Sequence, residues 1–196
     1  MHGLVNRAVQ CFLRDTFGSD AWGDIAADAG APADGFESML RYDDTLTLRV
    51  IDAATARLDR PRESLLEDLG TYLVSHPNRE GLRRLLRFGG VSFVDFLHSL
   101  DDLPGRARLA VPDLDIPPLE LEETGEGSFT LTIHTRWPEF ASVMIGVLRA
   151  MADDYGALAL PDHAGPAPDG APRLSIDVFD ARFSSGRSFA LSADAP

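Results

Sequence analysis

The sequence predicts an α+β domain: a helical amino-terminal lobe, about residues 1–60, then a lobe of about residues 61–196 in which an antiparallel sheet carries one long helix. Two observations carry this prediction. From residue 2 to residue 103 apolar side chains recur at helical spacing. From residue 119 onward they alternate with polar ones in short runs, with one helical stretch between the runs. No internal repeat is present, so the 196 residues are read as one domain.

Leu4, Val5, Ala8, Phe12 and Leu13 share one side of a helix over residues 2–15. Asp20–Ala27 makes a short second helix before the Gly30–Gly35 loop. Asp43 or Asp44 caps a third helix that presents Leu46, Val50, Ile51, Ala54 and Leu58. Pro61 stands where a first-turn proline belongs and opens a fourth through Leu65, Leu66, Leu69 and Leu73. Asn78 caps the segment with Leu82, Leu85 and Leu86, which Gly89 and Gly90 stop. Ser92 with Asp95 starts a helix from Phe93 to Leu103, ended by Pro104 and Gly105.

Leu119–Glu123 and Ser128–Thr135 flank Gly125-Glu126-Gly127 as a hairpin. Pro138 then begins a helix over Ala141–Met151, with Val143, Ile145, Val147 and Leu148 as its apolar side. Strands follow at Ala157–Leu160, Leu174–Phe179 and Ser188–Leu191, and the Pro-, Gly- and Ala-rich stretch 162–172 reads as a loop.

With 31 acidic and 18 basic residues the formal net charge is −13, which repels phosphate backbones and anionic membranes and argues against both as partners. The same charge makes any buried anionic ligand depend on dedicated cationic side chains. A single cysteine, Cys11, excludes an internal disulfide and a four-cysteine zinc site, and its place on an amphipathic helix reads as packed. Residues 1–18 lack the pattern of a secretion signal, and no apolar run nears the roughly 20 residues needed to span a bilayer. The cytoplasm is the expected compartment.

No set of nucleophile, base and orienting group stands out, so the chain is not expected to be an enzyme. Asp101-Asp102 and Asp153-Asp154 are adjacent carboxylates that read as solvated helix faces, and Glu120–Glu126 as a surface hairpin. Trp137 and Phe140 read as core. No histidines share metal-ligand spacing with a third partner.

Several local strings, in order along the whole chain, resemble the haem-nitric-oxide/oxygen-binding (H-NOX) family. They are Met1-His-Gly-Leu-Val-Asn6, Arg79-Glu-Gly-Leu82, Phe93-Val-Asp-Phe-Leu97, Leu100-Asp-Asp-Leu103, the Pro117 turn before the hairpin, and the helix containing Gly146. The resemblance implies a two-lobed sensor fold that holds a b-type haem between its lobes. In the family a histidine directly after the Leu-Asp-x-Leu phrase ligates the iron, and a Tyr-x-Ser-x-Arg triplet on a strand binds the propionates.

This sequence departs from the family at both places. Pro104 follows Leu103 and has no atom to coordinate iron. Counting back from Gly146, the triplet falls on Ile133, Thr135 and Trp137, of which only Thr135 keeps a hydroxyl. The guanidinium suited to a propionate is gone. A one-residue slip gives Thr132, His134 and Arg136 and restores an arginine, but it turns the original three to the other face of the strand. His98 and His76 are alternative axial ligands. On a continuous helix His98 would point ~120° away from residue 104 and sit ~9 Å along the axis. His76 would face the pocket from a helix end. His2 and His163 carry no signal.

Three functional readings follow. In the first the domain senses without haem: its inter-lobe pocket is apolar, and is filled by its own side chains or takes an apolar, fatty-acid-like molecule. Candidate lining residues are Leu4, Val5, Val9 and Leu73 from the helical side and Pro117, Ile133, Thr135 and Trp137 from the sheet, with Met144 and Leu148 on the long helix. Cofactor binding is then none. In the second, haem b is bound through His76 or His98 and nitric oxide is sensed. In the third, the domain is an interaction module with a collapsed pocket. With no catalytic segment before Pro196, a partner is expected to act in trans. By the resemblance it is a histidine kinase, a cyclic-dinucleotide enzyme or a chemotaxis-type receptor. Because ligand and clamp are missing together, Pro104→His alone is expected not to restore tight haem binding in an absorbance titration. Stoichiometric uptake by that single variant would show that Ile133 and Trp137 matter little.

Overall fold

The computed structural model describes residues 1–183 and 186 of the 196-residue chain. Helix α1 (Gly3–Phe17) starts at His2, whose Nδ1 accepts from the Leu4 amide at 3.2 Å. It is followed by α2 (Ser19–Ala29) and α3 (Asp44–Leu58). Asp43 is the cap of α3, its Oδ1 accepting from the Thr45 amide at 2.8 Å. Pro61 directly precedes α4 (Arg62–Ser75), and a 3₁₀ turn, Pro77–Arg79, leads into α5 (Glu80–Arg87).

The next segment differs from expectation. The helix begun by the Ser92–Asp95 capping box, α6, spans only Phe93–His98. A turn follows, and Pro104 sits in the first turn of a further helix, α7 (Leu103–Ala110). A proline both stops a helix behind it and suits the start of one, because the first-turn amides have no intrahelical partner to lose. The chain uses the second property, where the sequence alone suggests the first. Arg106 fixes the intervening turn, its Nη2 donating to the Ser99 carbonyl at 2.8 Å and its Nη1 to that of Leu85 at 3.3 Å.

The second half forms β1 (Leu119–Gly125), β2 (Ser128–Ile133), α8 (Phe140–Tyr155), β3 (Leu158–Ala164) and β4 (Arg173–Asp180). The four strands make one antiparallel sheet in the order β1-β2-β4-β3. β2 is two residues shorter than expected, because the chain turns at once: the Thr135 amide donates back to the Ile133 carbonyl at 2.9 Å. β3 runs on through residues 161–164, into the loop expected over 162–172, since pairing with β4 overrides local composition. The strand expected at Ser188–Leu191 lies outside the described residues.

Buried apolar side chains form two clusters. One gathers Phe12, Leu13, Ile25, Phe36 and Val50 among α1–α3 and the segment before α3. The other joins Phe93, Phe96 and Leu100 to the inner sheet face and to Met144, Ile145 and Leu148 of α8. Helix α4 supplies both, Leu65, Leu66 and Leu69 to the first and Val74 to the second.

α4 and α8 cross at backbone contact. A Cβ on Gly70 would collide with the Val143 carbonyl and lie 2.9 Å from the Val147 amide nitrogen. A Cβ on Gly146 would collide with the Glu67 carbonyl and lie 2.8 Å from the Thr71 amide nitrogen. Main chain on both sides cannot swing aside, so a methyl group forces the helices apart. Gly146→Ala is therefore expected to cost about 1–3 kcal/mol of stability, read as a lower urea midpoint at unchanged m. Gly105→Ala on α7, where a Cβ meets nothing within 4 Å, serves as the control and should hold or gain stability.

Candidate functional site

Pro104 is half-buried in the first turn of α7, beside the buried Leu103. Its ring offers no donor atom. His98 closes α6, so the continuous helix on which its geometry was reckoned does not exist. Its side chain is exposed, with the ring edge-on to Phe129 at a centroid distance of 5.7 Å.

His76, at the end of α4, is held by local partners. Its ring lies against Tyr72 at 4.6 Å between centroids, and its Nδ1 accepts from the Asn78 amide at 3.4 Å. The Tyr72 hydroxyl donates to Asp15 Oδ2 at 2.7 Å, joining α4 to the end of α1.

The triplet positions do not share a strand face. Ile133 ends β2 fully buried in the sheet-side core, whereas Thr135 and Trp137 lie in the turn beyond it. There the Trp137 amide donates to Thr135 Oγ1 at 2.9 Å, so that hydroxyl already serves the backbone. Two residues of the slipped register, His134 and Arg136, lie beside acidic surface groups. His134 Nε2 lies 3.1 Å from Glu120 Oε2, and the exposed Arg136 lies 3.5 Å from Asp44 Oδ2.

The remaining candidates are distributed between the two clusters. Ile133, Met144 and Leu148 are buried together with Leu103 in the sheet-side cluster. Val9 belongs to the helical one, and Leu73 packs against it. Leu4, Val5 and Pro117 are half-buried. Val9 also lines an apolar cavity of about 10 Å³, whose other walls include Phe12, Leu13, Ile51, Leu66 and Leu69. That is room for about one water molecule.

One pair of carboxylates was misread. Asp154 is 2% exposed, not solvated, and accepts from Arg83 Nε at 2.9 Å. Arg87 lies 3.5 Å from its Oδ2 and stacks over the Tyr155 ring at 3.9 Å. The predicted helix stopped at Met151, whereas α8 continues to Tyr155 and carries Asp154 into the interior. The i, i+4 spacing of Arg83 and Arg87 was the available signal, but it did not disclose the partner.

A family model described as Haem-NO-binding matches residues 2–158. Soluble guanylate cyclase gcy-31 of Caenorhabditis elegans is 22% identical over 154 residues, covering 79% of this chain and 22% of its own length. Soluble guanylate cyclase gcy-32 of the same organism is 24% identical over 156 residues, covering 78% and 23%. The chain thus spans less than a quarter of these curated relatives. Among solved structures, a mutant H-NOX protein from S. oneidensis in the Fe(II) state superposes with a TM-score of 0.79 at 14% identity, over 93% of this chain and 98% of its own. Unliganded Fe(II) H-NOX from K. algicida superposes at 0.76 with 16% identity, over 92% and 97%. At such identities the superpositions speak for the fold.

The Asp15–Tyr72–His76 contact has a titratable consequence. The Tyr72 hydroxyl holds the Asp15 carboxyl below the usual carboxylate range; partial burial opposes this and Arg14 assists it. A carboxylate lowered on folding adds stability above its unfolded pKa and loses it as pH falls through its folded one. Asp15 is partly solvated, so the effect is modest. Tyr72→Phe is expected to cost about 1 kcal/mol at neutral pH, the difference fading below about pH 4 as Asp15 protonates. Urea denaturation across pH checks this, and a pH-independent difference would reduce Tyr72 to a packing residue.

Proposed function

The chain belongs to the Haem-NO-binding (H-NOX) family, and from that premise we propose a sensory domain that works without holding haem in the family's manner. The observation that carries this reading is the residue set at the family's holding positions. Pro104 stands where the resemblance puts the axial ligand and lies in the first turn of α7, Ile133 is buried in the core, and the Thr135 hydroxyl accepts from the Trp137 amide. Such residues fit neither an iron nor two propionates. His98 faces solvent and His76 lies against Tyr72 with its Nδ1 accepting from the Asn78 amide, which supports neither as a replacement ligand.

In this reading the interior at rest is occupied by the chain's own side chains, many of them fully buried in the two clusters. The class of molecule such an interior accepts is apolar and fatty-acid-like. Entry has to part the two clusters, which shifts α4 against α8. A partner that binds one arrangement better than the other then reads the shift. The domain itself catalyses nothing, acts in the cytoplasm, and passes its state to a separate signalling protein such as a histidine kinase, a cyclic-dinucleotide enzyme or a chemotaxis-type receptor. The matched relatives are soluble guanylate cyclases far longer than this chain, consistent with a sensor segment coupled to an output. No described helix is long and apolar enough to cross a membrane.

The test is an absorption spectrum with iron analysis on protein produced with haem supplied. The expected result is no Soret band at one haem per chain. A stoichiometric band that disappears in His76→Ala or His98→Ala would overturn the reading in favour of a non-standard haem sensor of nitric oxide. Native mass spectrometry of gently purified, haem-free protein then separates the remaining cases. A lipid-like mass travelling with the chain supports an apolar ligand, and the bare chain supports an interaction module with a collapsed interior.

A further inference from the structure

Strand pairing gives the sheet two different faces. The inner face, with Phe129, Leu131, Leu174 and Ile176, is buried against the core. The residues alternating with these are all at least partly exposed. On that outer face the register sets Leu160 beside Asp177 and Asp162 beside Ser175. A bulge leaves Phe179 between Val178 and Asp180, the partners of Ala159 and Leu158. Leu158, Leu160 and Phe179 therefore meet at one corner, 41%, 52% and 67% exposed.

The rest of the outer face is polar and acidic. Asp177 pairs with Ser128, Thr130 with Glu122, and Thr132 with Glu120, while Arg173 is the basic residue among them. Contiguous exposed apolar side chains rimmed by charge mark interaction surfaces. Here the rim selects the occupant. A second copy would bring acidic faces together in a chain of net charge −13, and an anionic membrane would be repelled in the same way. Addition of a strand along β3 is disfavoured by Pro161 at its centre, which has no amide hydrogen to give.

We infer that the Leu158–Leu160–Phe179 corner is a docking surface for a basic amphipathic segment of a separate protein. Two or three apolar side chains of that segment cover the corner while its Lys or Arg residues meet Asp162, Asp177 and Glu122. This rests on the reading of the chain as a sensor with a partner in trans, but not on what fills its interior.

The probe is a short synthetic helical peptide, labelled, with leucines on one face and lysines on the other. Binding is measured by fluorescence anisotropy to the full chain. The expected result is that Leu160→Asp with Phe179→Asp weakens binding by roughly tenfold, although it adds two negative charges. An attraction of charge alone would instead tighten. Phe88→Asp with Leu109→Asp, at other exposed apolar residues, should leave affinity unchanged or raise it. The chain contains no lysine, so carbodiimide links between peptide lysines and its carboxylates map the contact; they are expected at Asp162, Asp177 and Glu122. Four outcomes overturn the inference: no binding to the wild-type chain, equal or tighter binding by the first double variant, links confined elsewhere, or a sedimenting dimer that this variant abolishes. Failure on any of these leaves the haem test untouched, and circular dichroism confirms that both double variants are folded.

Discussion

The contact on which the rest of the structure depends is the crossing of α4 and α8 at Gly70 and Gly146. Two helices whose backbones touch must each place a residue without a side chain at the same point, and these are the residues that do so. Polar contacts flank the crossing: Glu67 pairs with Arg149, Arg62 with Glu139, and Thr71 Oγ1 donates to the Gly146 carbonyl at 3.4 Å. Because α4 contributes to both core clusters and α8 holds the sheet, this crossing ties the helical bundle to the sheet.

All 18 basic residues are arginines, in a chain with 31 acidic ones. Their distribution matters more than the net charge suggests. Arg57 spans Asp24 and Asp28 on the surface, while Arg83 and Arg87 converge on buried Asp154 and fasten α5 to α8. Arginine suits this second role, since its planar fork meets a carboxylate with several donors and is weakly hydrated. A buried pair of this kind is a poor net source of stability but is costly to break from one side. It fixes which faces of α5 and α8 meet. In consequence these two arginines, close to the interior, serve the fold.

The region after β2 shows how a short turn redefines a site. A strand continued to Trp137 would have displayed Ile133, Thr135 and Trp137 on one face. The chain leaves the sheet after Ile133 instead, so Thr135 caps a turn and Trp137 is carried away from the core. The outcome at Pro104 is similar: the residue that lacks a ligand atom also serves as a helix start. At both places the local backbone uses the residue for structure.

Much of this was legible in the sequence. The helical first half, the hairpin, the long helix and the capping box at Ser92 and Asp95 were visible because periodicity and capping act over a few residues. That Pro104 offers no ligand atom is likewise a matter of residue type. What tertiary structure alone decided were the facts that depend on distant partners. Asp154 is buried because two arginines some 70 residues away in sequence reach it at 2.9 and 3.5 Å. β3 extends through Pro161 because β4 pairs with it, and Gly70 and Gly146 touch because two helices cross there. A proline reads equally as the end of one helix or the start of the next, and only the packing of Leu103 into the core chose between them at residue 104.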